Sequence, residues 1–560
     1  MLVRFSCLAL VCSITSFFII GNTFSQSSLS PADVVISNAQ ILQKNESFAQ
    51  AIAIKDQKIV AIGHHALIQK YVGPNTQQVN AQGKLIIPGL IDSHMHAIRA
   101  GLSYQSEASW RGARTIPEAI DIIRQASIQK PRGSWIIIAG GWIPEQFKDG
   151  VLPSREQLLS AAPDHHLYIQ KLYSSVFISP SGLEALGVDK NAELLSRLDM
   201  LTDKDGQLTG WINGNARAIS DLFDFLPPTS EAEQYTSTKL FFKKLNQLAI
   251  TGVADPGGYN FPIHSYNTLW RLQKEKALSI RVAYSISAPQ RGTELEDFKK
   301  IIPTIPRNDE FLQWNGIGEN VTWGMYNNES PTVTDQQQLQ DALTWAAQQK
   351  MTVTFHWNNN ESVYRLLDVI ERIQDVYPIK DLRWSIAHLN NIDELSLSRM
   401  KKYQLGWLVQ NALYFQSGNF ADKYGTESLK IVPRIRQGMN LQLPIGVGTD
   451  AHRVMDFNPF VAIEWLIGGK SIDGRPGRKN QQLLTPHEAI YLYTQGSAHF
   501  LPDSTLRGEL AVGKYADLAI LDQNLFMIPI HQIHQTQSEL TMVGGRVVFA
   551  SGEFASLEKQ

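Results

Sequence analysis

The chain has 560 residues, with 51 Lys plus Arg against 53 Asp plus Glu. This near balance excludes the strongly basic surface with which proteins meet nucleic acid or anionic membranes. The length calls for two to four domains, or one large barrel with additions. Hydrophobic content of 43% with 39 Gly and 25 Pro describes a globular, loop-rich protein.

In chain order, the first feature is "MLVRFSCLALVCSITSFFIIGNTFSQ". One Arg precedes a run of apolar and small residues, and a polar stretch follows. That layout predicts a secretory signal peptide over residues 1–25, cleaved after Ser25, and so a secreted or periplasmic protein. The apolar run is also long enough for an uncleaved membrane anchor, which is the alternative localisation. Cys12 lacks the small preceding residue of a lipoprotein signal. Cys7 and Cys12 both fall in this segment, so the mature chain has no disulfide, no Cys nucleophile and no thiolate ligand. Any metal site must then use His, Asp, Glu or a modified Lys.

Residues 33–63 alternate as strands, "DVVISNAQIL" and "FAQAIAIKDQKIVAIG", and so do "GKYADLAILD" and "TMVGGRVVFASGEF" near the C-terminus. The expectation is one small β-sandwich domain built from both chain ends, residues 26–84 and 501–560. Between them, eight strand candidates alternate with helical patterns such as "DQQQLQDALTWAAQQK". The candidates are "KLIIPGLIDSHMH" (84–96), "AITGVADPGG" (249–258), "SIRVAYSIS" (279–287), "GIGENVTWG" (316–324), "MTVTFHW" (351–357), "RWSIAHLN" (383–390), "LGWLVQN" (405–411) and "LPIGVGTD" (443–450). Eight β/α units predict an α/β fold, a (β/α)8 TIM-type barrel over residues 85–500. "WIIIAGGW" and "HLYIQKLY" are further strand-like runs, assigned to an insertion at about residues 100–240.

Barrel active sites lie at the C-terminal ends of the strands. The first candidate ends in His94 and His96, the fourth carries Glu319, the fifth His356, the sixth His388 and the eighth Asp450. In an extended strand, positions i and i+2 share a face, so His94 and His96 aim two imidazoles at one spot. Nitrogen and oxygen donors of this kind bind Zn²⁺ well. Singly, each has a structural explanation: a histidine hydrogen-bonded at a strand end, or Asp450 capping the segment that follows. Five strand ends carrying such groups in barrel order are hard to explain by accident.

At these residues the chain resembles the metal-dependent amidohydrolase superfamily, in the family 3-like branch with a large insertion after the first barrel strand. "PGLIDSHMH" is similar to that family's first-strand metal motif, and "LRGELAVGKYADLAILD" with "VGGRVVF" to its closing β-domain motif. The resemblance implies a metal-activated water attacking a carbonyl-type carbon. It implies metal ligation by His94, His96, His356 and His388, and an Asp450 that both binds metal and shuttles the proton. There are departures. Many members carry a carboxylated lysine on the fourth strand, but no lysine occurs from Ile301 to Gln349, and Glu319 stands at the matching position. A Glu carboxylate also offers two oxygens and a negative charge, so Glu319 is expected to ligate. Its alternatives are binding a single ion or hydrogen-bonding a ligand. Asn359 and Asn360 replace a Gly-Asp pair common after the fifth-strand His, and Ala387 replaces a Glu common before the sixth-strand His.

The expected activity is exported, metal-dependent hydrolysis of a non-peptide carbon–nitrogen bond, with Asp450 moving the proton to the leaving group and one or two Zn²⁺ or similar ions as cofactor. The expected substrate is a small N-acyl or N-formyl amide with an apolar or aromatic group. Trp110, Trp142, Trp211, Trp323 and Trp357 are aromatic candidates for the pocket. Trp323 and Trp357, with Asn359 and Asn360, are favoured because they lie within a few residues of proposed ligands. Ester or cyclic-amide hydrolysis and deamination are alternatives on the same scaffold. A non-catalytic, metal-stabilised binding protein is the alternative of another class.

Overall fold

The structure is a computed structural model that describes residues 30–259, 261–358 and 360–558. The signal-peptide expectation, both cysteines and Asn359 lie outside the described residues. Among the described residues no helix is long and apolar enough to cross a membrane.

Both chain ends form β-structure together. A four-stranded sheet runs in the order Lys58–Gly63, Ala51–Lys55, Val34–Ser37, Gln77–Asn80. A six-stranded sheet runs Arg546–Ala550, Ser538–Val543, Leu518–Leu521, Leu85–Pro88, Gln40–Leu42, Phe48–Ala49. Tail and head therefore meet in one ladder, Leu518 opposite Pro88 and Gln40 beside Leu85. Ile36, Ile52 and Ile54 of the first sheet share an apolar cluster with Ile86, Leu518, Leu540 and Met542 of the second. Burying these side chains holds the chain ends together without a covalent link.

The run at 84–96, read from the sequence as one strand, is two. Leu85–Pro88 belongs to the terminal sheet, and Leu90–Asp92 pairs with Ile250–Asp255. The expected boundary at residue 85 therefore moves to Gly89. A Cβ on Gly89 would lie 2.2 Å from the Thr251 side chain, so only glycine lets the chain cross at this point.

Eight parallel strands follow in chain order: β1 (Leu90–Asp92), β2 (Ile250–Asp255), β3 (Arg281–Ile286), β4 (Leu312–Ile317), β5 (Thr354–Trp357), β6 (Ser385–His388), β7 (Gly406–Gln410) and β8 (Ile445–Gly448). They form two four-stranded sheets, β1 to β4 and β5 to β8, each strand beside its sequence neighbour. Two seams link the sheets. Ile317 bridges Val353 between β4 and β5, and Ser93 N–H donates to Val447 O at 3.1 Å between β1 and β8. Helices fill the connections. Val333–Gln348, for example, starts at a capping box in which Thr332 and Asp335 bond each other's backbone N–H.

The fourth strand lies earlier than the sequence suggested, at 312–317 rather than 316–324. Gly316 and Gly318 explain the shift. Both have positive φ, and a Cβ on either would come within 2.3 Å of a carbonyl oxygen at Thr352 or Thr354. The ladder runs through Gly316 to Ile317 and stops at Gly318, so Glu319 is carried past the strand end.

Between β1 and β2 lies the insertion. It holds its own five-stranded sheet, spanning Trp135 to Gly214. Trp110, Trp142 and Trp211 form that sheet's core, with ring centroids 4.7 Å apart for Trp110–Trp142 and 6.3 Å for Trp142–Trp211. They are packing residues, not pocket lining as the sequence allowed.

Candidate metal centre and cleft

Six side chains named from the sequence, His94, His96, Glu319, His356, His388 and Asp450, converge beyond the C-terminal ends of β1, β4, β5, β6 and β8. Asp92 organises the first of them. It is fully buried and accepts hydrogen bonds from His94 N–H at 3.0 Å, Thr449 N–H at 3.0 Å and Thr449 Oγ1 at 2.7 Å. Burial pushes its carboxyl up to about 7 against the pull of the Thr449 hydroxyl. Asp92 thus staples the end of β1 to the segment that carries Asp450. The same segment is held by Asp450 N–H donating to His94 O at 2.8 Å.

Glu319 sits at the centre. Its Oε2 is 3.0 Å from His356 Nδ1, 3.5 Å from His94 Nε2 and 3.6 Å from His388 Nε2. Its Oε1 faces His96 Nε2 at 3.6 Å and accepts from Tyr326 OH at 3.3 Å. Asp450 Oδ1 lies 3.1 Å from His96 Nε2 and 3.5 Å from His94 Nε2. His388 Nε2 is 2.8 Å from His356 Nδ1. Two overlapping sets have ligand atoms all within 4.8 Å: His94, His96 and Asp450, and His94, Glu319 and His388.

This donor set fits a divalent cation. Two donors on one tetrahedral ion at ~2.0–2.1 Å lie roughly 3.4 Å apart, which matches the 3.5 Å spacings around His94 Nε2. His94 is fully buried, and among the described residues neither of its ring nitrogens has a hydrogen-bond partner. Buried polar atoms without partners are costly, and an ion would satisfy one of these nitrogens. The neighbours fix the other rings. His96 Nδ1 meets Gly257 O at 2.7 Å, so Nδ1 carries the proton and Nε2 faces the carboxylates. His356 Nε2 meets Asn358 Nδ2 at 3.0 Å, which turns Nδ1 toward Glu319, and the ring stacks on Tyr326 at 4.4 Å. His388 and Asp450 sit at φ 72° and 55°, left-handed backbone that costs of order 1 kcal/mol or more and collects at functional sites.

Charge and burial oppose each other throughout. Burial holds the imidazoles of His94 and His356 below the usual range, despite the carboxylates beside them. Burial also works against protonation of His96, but the Asp450 hydrogen bond and the Glu319 charge bring it up to about 9. His388 is raised against burial by its contact with Glu319 and the Asp450 charge. For both carboxylates burial works upward and loses. His356 and His388 hold Glu319 well below the usual range, and His94 and His96 do the same for Asp450.

Above this floor opens a cleft of about 770 Å³, reaching His96, Glu319, His356, His388 and Asp450. Leu413, Phe420 and Met455 are among its apolar lining residues. Of the favoured pocket residues, the three that are described, Trp323, Trp357 and Asn360, are not in its lining. Trp357 is buried, and its Nε1 donates to Ser362 Oγ at 3.3 Å, beneath the site. Trp323 stands behind the cleft wall, its Nε1 donating to Ala288 O at 3.0 Å and its ring 5.0 Å from that of Tyr259. Asn360 exchanges hydrogen bonds with Asp393, at 3.2 Å from its Nδ2 and 2.8 Å to its Oδ1. Sequence reasoning missed Tyr326, Asn358, Arg99 and Arg217, which do line the cleft. Alternation along β5 would have excluded Trp357, because it must face away from His356. Nothing comparable marks Arg217.

A family model described as "Amidohydro_3: Amidohydrolase family" matches residues 77–549. The chain is 19% identical over 543 residues to an N-substituted formamide deformylase of Arthrobacter pascens, covering 92% of this chain and 97% of that protein. An uncharacterized metal-dependent hydrolase from Pyrococcus horikoshii superposes with a TM-score of 0.64 at 20% identity, covering 89% of this chain and 99% of the other. An atrazine chlorohydrolase from Arthrobacter aurescens complexed with zinc gives 0.53 at 15% identity, covering 92% and 95%. At these identities the structural likenesses show the fold alone: an α/β fold that matches amidohydrolase structures, which are of the TIM-barrel type.

Proposed function

The chain belongs to the amidohydrolase family, and from that premise we propose that it is an exported, metal-dependent hydrolase of non-peptide carbon–nitrogen bonds, acting on small N-formyl or N-acyl amides. In this reading the eight parallel strands close as a (β/α)8 barrel and the terminal sheets form a β-sandwich domain. The observation that carries the proposal is the six-residue cluster at the floor of the cleft, with Glu319 facing all four histidines. The likeness to a formamide deformylase supports the substrate class. The leader-like residues 1–25 support export.

His94, His96, His356, His388, Glu319 and Asp450 would hold one or two divalent ions, zinc foremost given nitrogen and oxygen donors. When bound, such an ion supplies Lewis acidity and a water acidified toward neutrality. Asp450 lines the cleft and takes the proton as the water's oxygen adds to the amide carbon. It then gives that proton to the leaving nitrogen as the C–N bond breaks, releasing an acid and an amine. Glu319 orients the histidines by offering one oxygen to each side of the site. Tyr326, bonded to Glu319, holds that carboxylate in place.

The test is metal content per chain, followed by turnover on N-formyl and N-acyl amides, esters and aminated heterocycles. Amide cleavage that disappears with chelation and returns with zinc is the expected result. Turnover confined to esters or aminated rings would move the activity to another reaction of the scaffold. Bound metal with no turnover on any class would favour a binding protein.

A further inference from the structure

The strands β2 and β3 supply none of the six clustered side chains. Their C-terminal ends instead hold two of those side chains from behind. β2 ends at Asp255, whose buried carboxylate accepts Gly257 N–H at 2.9 Å and Ile98 N–H at 2.8 Å. The first bond fixes the Gly257–Gly258 segment beyond β2. The second ties β2 to the helix that follows His96, Ala97–Ser103. Gly257 O then accepts from His96 Nδ1 at 2.7 Å, so the segment orients that imidazole.

Ser287 lies one residue past the end of β3 and is buried. Its Oγ accepts Gly258 N–H at 2.7 Å and donates to Gly318 O at 2.7 Å. A hydroxyl has a single proton to give, so the two bonds fix its direction. Gly318 precedes Glu319, and Glu319 Oε1 faces His96 Nε2 at 3.6 Å. A closed circuit results. It runs from the His96 ring through Gly257 and Gly258 to the Ser287 hydroxyl, on to Gly318 and Glu319, and back across the site to His96. Among the described residues Ser287 is the one side chain that bonds both backbone segments. A Cβ on Gly257 would lie 2.6 Å from Ser287 Oγ and 2.7 Å from Gly318 O, so these groups pack without slack.

We propose that Ser287 is a positioning residue of the metal centre, whose hydroxyl sets the gap between His96 and Glu319 that an ion would span. This rests on the metal-dependent reading above. Without the hydroxyl, Gly258 N–H and Gly318 O lose their shared partner in the interior, where unpaired polar groups are costly. They regain a bond only by moving, and each carries a proposed ligand with it. Partners behind metal ligands typically set affinity by about 10- to 100-fold.

The experiment uses the full-length protein freed of metal, with zinc affinity read by competition against a chromogenic chelator. Ser287→Ala should bind zinc about 10- to 100-fold more weakly than wild type. Ser287→Thr keeps the hydroxyl and should regain most of that affinity. A merely structural role would lower the urea midpoint of the metal-free protein and leave the zinc affinity of the folded protein alone. Wild-type affinity in Ser287→Ala, or an equal loss in Ser287→Thr, would overturn the inference. Crystal structures of the metal-free proteins need no bound ion. If wild type takes up no zinc, the metal-dependent reading fails separately. A His96 Nε2 to Glu319 Oε1 separation changed by about 0.5 Å or more in Ser287→Ala then still upholds the positioning role, and an unchanged separation removes it.

Discussion

Asp450→Asn separates proton transfer from metal binding. Asp450 has φ 55°, a left-handed conformation that Asn tolerates better than most residues, and its backbone N–H bond to His94 O does not depend on the side chain. The variant should therefore fold. Asn keeps one oxygen near His96 and His94 but loses the charge and the base. Loss of a positioned general acid–base group costs roughly 10²- to 10⁴-fold, so kcat should fall by about a hundredfold or more. Metal content should fall less, because four imidazoles and Glu319 remain within reach of the ion. The assay is kcat at saturating substrate beside metal per chain by mass spectrometry. Full kcat in Asp450→Asn would refute the proton-transfer role. Complete loss of metal with no residual site would reduce Asp450 to a ligand.

Glu319→Gln removes the carboxylate that faces all four histidines, so metal occupancy should drop first and added zinc should restore part of the activity. Asp517→Ala strips the partner from Arg281, whose buried guanidinium bonds both Asp517 oxygens at 2.8 and 3.1 Å. A charge left unpaired in this way typically costs about 3–5 kcal/mol, read as a shift in urea midpoint, with kcat retained. Gly89→Ala places a methyl 2.2 Å from Thr251 and should destabilise by ~1–3 kcal/mol, partly relieved by adding Thr251→Ala. A neutral Gly89→Ala would mean that the crossing between the terminal sheet and β1 is looser than the structure has it.

The strands were legible because each of the eight parallel strands is an apolar, β-rich run cut off by glycine, proline or polar residues. The six clustered side chains were legible for a related reason: they are polar groups closing apolar runs. Boundaries failed where backbone contact, not side-chain pattern, decides. Gly89 divides one apolar run between two sheets, and Gly318 ends β4 early, yet the sequence around each reads as continuous strand. The aromatic forecast failed because closeness in sequence to a ligand is not closeness in space. Within β5, His356 faces the site and its neighbour Trp357 faces the helical layer. The cleft walls were illegible because Arg217 comes from the insertion and Tyr326 from a loop, and only the topology brings them over the floor.

That topology also ties the insertion to the chemistry. Glu107, at the start of the insertion, meets His452 Nε2 at 2.8 Å, two residues beyond Asp450. Arg111 donates to His452 O, and Gly141 N–H donates to Arg453 O at 2.8 Å. A Cβ on Gly140 would fall 2.1 Å from Arg453 O, so the approach is close enough to require glycine. The segment that carries Asp450 is thus gripped from both sides, by Asp92 of β1 and by the insertion. The insertion also contributes Arg197 and Arg217 to the cleft wall. A single added unit therefore braces the segment that carries Asp450 and supplies part of the cleft wall. Changes in the insertion should alter specificity through the wall residues and rate through the Glu107–His452 contact. Changes at the strand ends should act on metal and rate alone. Under the proposed function, the eight strands carry the reaction and the insertion decides which molecule undergoes it.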